Sequence, residues 1–359
     1  MTLNYIDSVI DEAYERREYP SLDWQQRCWA SSRPLDGVSL LDATPVFRNT
    51  LIKYRAMLAS GANLVVGISD VMPCDRSVVR LLEKSGVEVI DAGRAKERVF
   101  DVVMDCAGAF ASVEAKFGYV ELTKSGEAVY KNCQKPVFVA DGGEIKKIET
   151  CLGTGESYFR ALRQLGFDDF SGKDLVVFGS GKVGTGIILH ALKCSMRVTV
   201  ITDLNTLRGD FDKKLKAVSM NDSEQVARAV RNADFVVTAT GVKGAVQSVC
   251  PLEAVISSKA VFANMGVEDE FGESIEASKV LQNKQTVNFI LEEPTQVRYI
   301  DATMALHNAG ALYLVSNKSL ERGLVFPPAE METKLFDVMR ANGCISDELD
   351  LLLLVSDKN

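Results

Sequence analysis

The run Gly179-Ser180-Gly181-Lys182-Val183-Gly184 carries glycine at its first, third and last positions. It follows the apolar stretch Leu175-Val176-Val177-Phe178 without a break and leads into Thr185–Lys193, which reads as a helix. Strand, glycine turn, then helix is the setting in which this spacing does chemistry. Gly179 permits a tight turn, Gly181 lets a pyrophosphate come close to the backbone, and Gly184 lets the helix pack on the strand. Diphosphate oxygens can then rest on the free N–H groups that open the helix, where the helix dipole favours negative charge. Ser180, Lys182 and Val183 complete the turn and are candidates for the same contact.

The next apolar run, Arg197–Ile201, closes in Thr202-Asp203. A carboxylate at that place accepts hydrogen bonds from ribose hydroxyls and repels a 2′-phosphate, so the expected cofactor is NAD in preference to NADP. Lys182 and Arg208 read as solvated surface charges that shift this preference only slightly. Two later apolar runs end in Thr238-Ala239-Thr240-Gly241 and in Asn264-Met265-Gly266. Small and polar residues at strand ends line a dinucleotide crevice, which adds Thr240, Gly241, Asn264 and Gly266 to the candidates.

These residues need a scaffold, and the pattern supplies one. In the second half, Gly155–Leu165 reads as a helix, and strands are expected at 175–178, 197–201, 235–238 and 260–264. In the first half, residues 1–35 look helical and charged, followed by strands at 38–42, 64–68, 86–90 and 98–104 with helices at 48–60 and 77–85 between them. Alternation of this kind specifies parallel α/β layers. The expected fold is α/β: a Rossmann NAD-binding domain plus a second α/β substrate domain, with a cleft between them.

At 359 residues the chain exceeds a usual single core, in keeping with two domains. A net charge of −8 argues against nucleic acid or an anionic membrane as partner. The start, Met1-Thr2-Leu3-Asn4-Tyr5-Ile6-Asp7, has no basic segment followed by an apolar core, and no apolar run approaches the roughly 20 residues of a membrane span. Eight scattered cysteines without a Cys-x-x-Cys pair, and only two histidines, leave little for a zinc site and fit a reducing cytoplasm. The expectations are a cytoplasmic protein and no metal.

The order of motifs resembles that of S-adenosylhomocysteine hydrolases over roughly residues 30–320. Gly118-Tyr119-Val120-Glu121-Leu122-Thr123-Lys124-Ser125-Gly126 is similar to that family's Gly-x-Ser-Glu-Glu-Thr-Thr-Thr-Gly segment, which joins substrate and nicotinamide sites. Lys146-Lys147-Ile148-Glu149-Thr150 through Glu156-Ser157 is similar to its Lys-x-Lys-Phe-Asp-Asn…Arg-Glu-Ser stretch. Phe262–Val267 resembles the Asn-Ile-Gly-His stretch, and Asp301–His307 followed by Val315-Ser316-Asn317 resembles Asn-Leu-x-x-Ala-x-Gly-His and Met-Ser-Asn. The resemblance implies a substrate domain over 1–155, completed by 310–359, and a Rossmann domain over 156–309. It adds Thr123, Lys124 and Ser125 to the cofactor candidates and implies an oligomer, at least a dimer and a tetramer in the family.

The departures from the family bear on chemistry. Asp42-Ala43-Thr44-Pro45-Val46-Phe47 stands where the family has His-x-Thr, and Asp105-Cys106-Ala107-Gly108-Ala109 where it has Asp-Asp-Gly-Gly-Asp. Glu149-Thr150 replaces Asp-Asn, Val267 replaces the histidine, Leu122 replaces a glutamate, and Ser356-Asp357-Lys358-Asn359 lacks the family's Lys/Tyr tail. Hydrolysis of S-adenosylhomocysteine is not expected. The expectation is instead an NAD-dependent oxidoreductase acting on a small polar metabolite. Hydride transfer needs a group to take up the accompanying proton. Lys146 or Lys147 could do so, the match leaving both open, with Glu149 holding or relaying. Glu121 is a further candidate, as is Asp105 at a strand end, and His307 has a side chain suited to proton transfer near neutral pH. Two alternatives remain beside this reading: a non-catalytic NAD-binding relative that works through a protein partner, and a remodelled hydrolase.

Overall fold

The computed structural model describes residues 2–207 and 215–356. Arg208 and residues 357–359 of the C-terminal tail lie outside them. The chain divides into two units, one formed by Met1–Lys146 with Gln296–Ser346, the other by Lys147–Thr295 with Asp347–Asn359. The boundaries differ from those expected. Residues 147–155 go with the Rossmann unit, because the π-helical turn Ile148–Gly153 and the helix Thr154–Gln164 pack on the helix Lys182–Lys193. Helix Val297–Ser316, which carries His307, goes with the first unit. The last helix, Ser346–Ser356, belongs mainly to the Rossmann unit, where Glu348 pairs with Lys193.

The first unit contains strands β1 (Ser39–Asp42), β2 (Asn63–Ile68), β3 (Glu88–Asp91), β4 (Val99–Asp105), β5 (Glu114–Glu121) and β6 (Pro136–Val139). The second contains β7 (Asp174–Phe178), β8 (Arg197–Thr202), β9 (Lys216–Ser219), β10 (Phe235–Thr238) and β11 (Val261–Asn264). The chain then returns to the first sheet as β12 (Gly323–Val325). The first sheet has the order β12-β6-β5-β4-β1-β2-β3 and the second β11-β10-β7-β8-β9. Every pairing in both is parallel.

Parallel strands covered on both faces must be apolar along their length, which is why these short runs read as continuous rather than alternating. Val176, Phe178, Ile201, Val236 and Phe262 form the core on one face of the second sheet with Val226 and Val230 of helix Ser223–Asn232. In the first unit Leu41, Val65, Val103, Phe100 and Phe110 pack together with Tyr119 and Tyr130. Strand β5 was not expected, because Gly118 breaks its pattern. Gly118 sits at φ +141, beside a register irregularity against β4, and a Cβ there would lie 2.2 Å from the Pro136 carbonyl oxygen.

Two places in this topology matter for function. In each sheet the first strand has its sequence successor on one side and a later strand on the other. The strand order reverses there, between β1 and β4 and between β7 and β10. Ligands of open α/β sheets bind at the carboxyl ends of strands at such a reversal.

Candidate functional site

In the Rossmann unit the chain leaves β7 at Phe178 and turns at Gly179, whose φ of +98 only glycine adopts without strain. A Cβ on Gly179 would lie 2.5 Å from the Ala239 carbonyl oxygen, so the turn lies directly against the segment that follows β10. Gly181 is the N-cap of helix Lys182–Lys193, carries no side chain to cap it, and has nothing within 4 Å of its Cβ position. The first turn of this helix holds no acidic residue. Gly184 faces inward, its Cβ position 2.1 Å from the Gly179 carbonyl oxygen. Ser180 hydrogen-bonds Thr202 at 2.9 Å through their hydroxyls, which ties the turn to the end of β8. Lys182 is exposed and Val183 half-buried.

Asp203 directly follows β8 and is exposed, and its Oδ1 accepts bonds from the backbone and side-chain nitrogens of Asn205, each at 3.0 Å. An open helix start beside a glycine turn, with a carboxylate one strand away, fits a dinucleotide and disfavours a 2′-phosphate.

Other expected cofactor residues turn out to do structural work. Asn264 is buried; its Oδ1 accepts from the Thr238 hydroxyl and the Gly266 N–H, and its Nδ2 donates to the carbonyls of Gly266, Glu268 and Lys284. The backbone N–H groups of Thr240 and Gly241 donate to Glu270, at 2.8 and 2.7 Å. Gly266 makes room for that carboxylate, since a Cβ there would lie 2.1 Å from Glu270 Oε1. These side chains and amides are spent on the protein itself because the loops after β10 and β11 have no regular ladder to satisfy them. Thr123, Lys124 and Ser125 lie in the first unit. Thr123 caps helix Lys124–Tyr130 through the Gly126 N–H, its hydroxyl also meets that of Ser125, and Lys124 pairs with Glu127.

At the reversal point of the first unit, polar side chains are buried together. Asp42, at the end of β1, accepts bonds on Oδ1 from the Thr44 N–H and hydroxyl, and contacts the Lys53 ammonium through Oδ2. Neither Asp42 nor Lys53 is exposed. Burial drives the Lys53 pKa well below its ordinary value, and the nearby Cys106 opposes that only in part. His307 is fully buried and shares its Nε2 with the Val120 carbonyl oxygen at 3.0 Å. Burial, then the neighbouring Lys53 and, further down, Lys146, push its pKa well down, so the ring is neutral at neutral pH.

Asp105 and Glu121 require a correction: neither faces open space. Asp105 accepts from the N–H groups of Cys106 and Phe110 and from the Tyr130 hydroxyl, and burial raises its pKa to about 7. Glu121 accepts from the N–H groups of Ala107, Gly108 and Thr123 and from the Thr123 hydroxyl. Together they hold the segment after β4, where Ala107 and Gly108 adopt positive φ. Of the adjacent lysines, Lys146 is buried in the first unit, while Lys147 and Glu149 are half-buried at the start of the second.

The sequence reading missed two charged residues. Lys53 sits in Thr50–Ala59, a helix buried on nearly every side; a cation in a run with no polar face was the available signal. Glu270 had no local signal, because its partners lie about thirty residues earlier in the chain. Among the described residues no group of three or more His, Cys, Asp or Glu could hold a metal ion, and no helix is long and apolar enough to cross a membrane.

Fold and turn together define a dinucleotide-binding α/β protein of the Rossmann type. A family profile described as "Putative NAD(P)-binding" matches residues 167–264, the span from the end of the preceding helix through β11. Within that class the chain is similar to adenosylhomocysteinases. It is 24% identical to the adenosylhomocysteinase of Thermoplasma volcanium over 90% of this chain and 91% of that protein. It is equally similar to that of Thermoplasma acidophilum, over 91% of each. A dipicolinate synthase chain from Bacillus halodurans superposes with a TM-score of 0.52 at 11% identity, over 79% of this chain and 98% of that one, a likeness of fold. The matched profile is one of NAD(P) binding, in keeping with the glycine turn and Asp203.

Proposed function

We propose that the protein is an NAD-dependent oxidoreductase acting on a small polar metabolite. The observation that carries this reading is the open helix start at Gly181 beside Asp203, joined in one chain to a second α/β unit whose own reversal point gathers Asp42, Lys53 and His307. Bound NAD supplies hydride acceptance. The chain's part is to hold the diphosphate on the N–H groups around Gly181, to accept the ribose hydroxyls on Asp203, and to take up the substrate's proton. Lys146, Lys147 and Glu149 remain the proposed proton-handling residues. Lys53 joins them as the buried lysine held against Asp42 at the reversal point of the first sheet. His307, buried and neutral, is assigned to positioning rather than to proton transfer.

The departures in Asp42–Phe47, Glu149-Thr150 and Val267 argue against the hydrolase reaction of the similar proteins. We further propose a cytoplasmic protein without nucleic-acid or membrane partners.

The test combines binding with turnover. Native mass spectrometry and thermal shifts with NAD, NADH and NADP should show binding of NAD over NADP, and a metabolite pool should give NADH absorbance. Protein that binds no dinucleotide by either method refutes the reading. A second reading, a non-catalytic NAD-binding relative, is favoured by one observation: Asp105 and Glu121 are committed to backbone amides. A Lys146→Ala, Lys147→Ala chain that binds NAD and keeps its biological output would support that alternative.

A further inference from the structure

Glu270 is a buried carboxylate in the segment that follows β11. Its Oε2 accepts from the Thr240 N–H and the Thr240 hydroxyl, both at 2.8 Å, and its Oε1 accepts from the Gly241 N–H at 2.7 Å. The carboxylate thus closes on consecutive amides of the segment leaving β10, one of the two strands at the reversal point of this sheet. Immediately before those amides, the Ala239 carbonyl oxygen packs against Gly179, the first glycine of the dinucleotide turn.

The bonds around Glu270 extend this connection. The Glu270 carbonyl accepts from the Val246 N–H and the Asp269 carbonyl from the Gly244 N–H, each at 2.9 Å. Asp269 in turn holds the N–H groups of Phe271 and Gly272 and the Lys284 ammonium. A chain of contacts therefore runs from Lys284 through Asp269 and Glu270 to Thr240, and from Ala239 to Gly179.

We infer that Glu270 is a positioning residue for the dinucleotide: it fixes the segment 239–241 against which the glycine turn is seated, and so sets the turn in its binding shape. The inference rests on the cofactor reading above. Without the carboxylate, the N–H groups of half-buried Thr240 and exposed Gly241 lose their common acceptor, and the segment is free to turn toward water instead. The backing of Gly179 then loosens. Glu270 does not touch the cofactor; it acts through Thr240, Gly241 and Ala239.

The experiment measures NAD affinity by calorimetry and amide hydrogen exchange without NAD, on the full chain. Glu270→Ala should weaken NAD binding at least tenfold and speed exchange over 238–244, with the rest of the Rossmann unit protected as before. Asp75→Ala, which uncaps the helix Arg76–Lys84 of the first unit, should lower the melting temperature and leave NAD affinity within twofold. Should Glu270→Ala not fold, Glu270→Gln keeps one acceptor oxygen and should show about a threefold loss with the same local exchange signature. A Glu270 variant that binds NAD like the wild type overturns the inference and leaves the cofactor reading intact. Wild-type protein that binds no NAD overturns both.

Discussion

At the scale of single residues, buried carboxylates recur as organisers of loops at strand ends. Glu121 does for Ala107 and Gly108 what Glu270 does for Thr240 and Gly241, each assisted by a threonine hydroxyl. Asp105 and Asp301 are buried to the point that each titrates near pH 7, Asp301 while accepting the N–H groups of Ser21 and Leu22 at the start of helix Pro20–Ser32. A carboxyl whose folded pKa lies above its unfolded value binds its proton more tightly when folded. Its contribution is present in full below about pH 4 and lost as pH rises through about 7. Urea melts should show stability falling across that window, and Asp105→Asn, which keeps an acceptor and a polar partner for Tyr130, should flatten part of the fall; a wild-type profile that is flat or rises between pH 5 and 8 contradicts this.

Lys53 and Asp42 make a different prediction. Removing one member of a buried pair strands the other and typically costs about 3–5 kcal/mol. Lys53→Met should lose stability on that scale at neutral pH. The Asp42→Asn, Lys53→Met double variant should lose less than the two single variants combined.

At the scale of elements, the Rossmann unit depends on a close approach between the helix after the glycine turn and the π-helical turn Ile148–Gly153. A Cβ on Gly186 would lie 1.8 Å from the Cys151 carbonyl oxygen, and one on Gly155 would lie 2.3 Å from the backbone of Gly186. The widened turn brings the Leu152 carbonyl to His190, which bonds it at 2.9 Å and so ties the turn to this helix. Backbone cannot yield as a side chain can. Gly186→Ala should therefore destabilise by at least the 1–3 kcal/mol, roughly, of core overpacking. Calorimetric melting checks this, and an unchanged melting temperature would mean that the helices do not meet so closely. Because this helix begins with the dinucleotide turn, the same variant should also weaken NAD binding.

At the scale of the whole molecule, we propose a homo-oligomer, at least a dimer. Light scattering at micromolar concentration tests it, and the mass of a single chain would refute it. The Rossmann unit was legible in the sequence because its evidence is local. Leu175–Phe178, the glycine run and Asp203 lie within one strand-turn-helix-strand passage, and the apolar runs at 235–238 and 260–264 announce their strands. The strands that escaped notice, β5 and β9 and the short β6 and β12, are interrupted by glycine or are brief, and gain their stability from neighbours far along the chain.

What the sequence alone determined was the fold class and the dinucleotide turn, since both follow from residue periodicity and from backbone freedom at named glycines. Only the tertiary structure decided which charges are spent. Asp105, Glu121, Asn264 and the Thr240-Gly241 amides have short-range identities that suit a site, yet hydrogen bonds to residues 13 to 30 positions away take them up. Lys53, inconspicuous in an apolar helix, became prominent only when folding laid it against Asp42. Burial and pairing set the chemistry of a charged group, and both are properties of residues distant in sequence that the fold brings together.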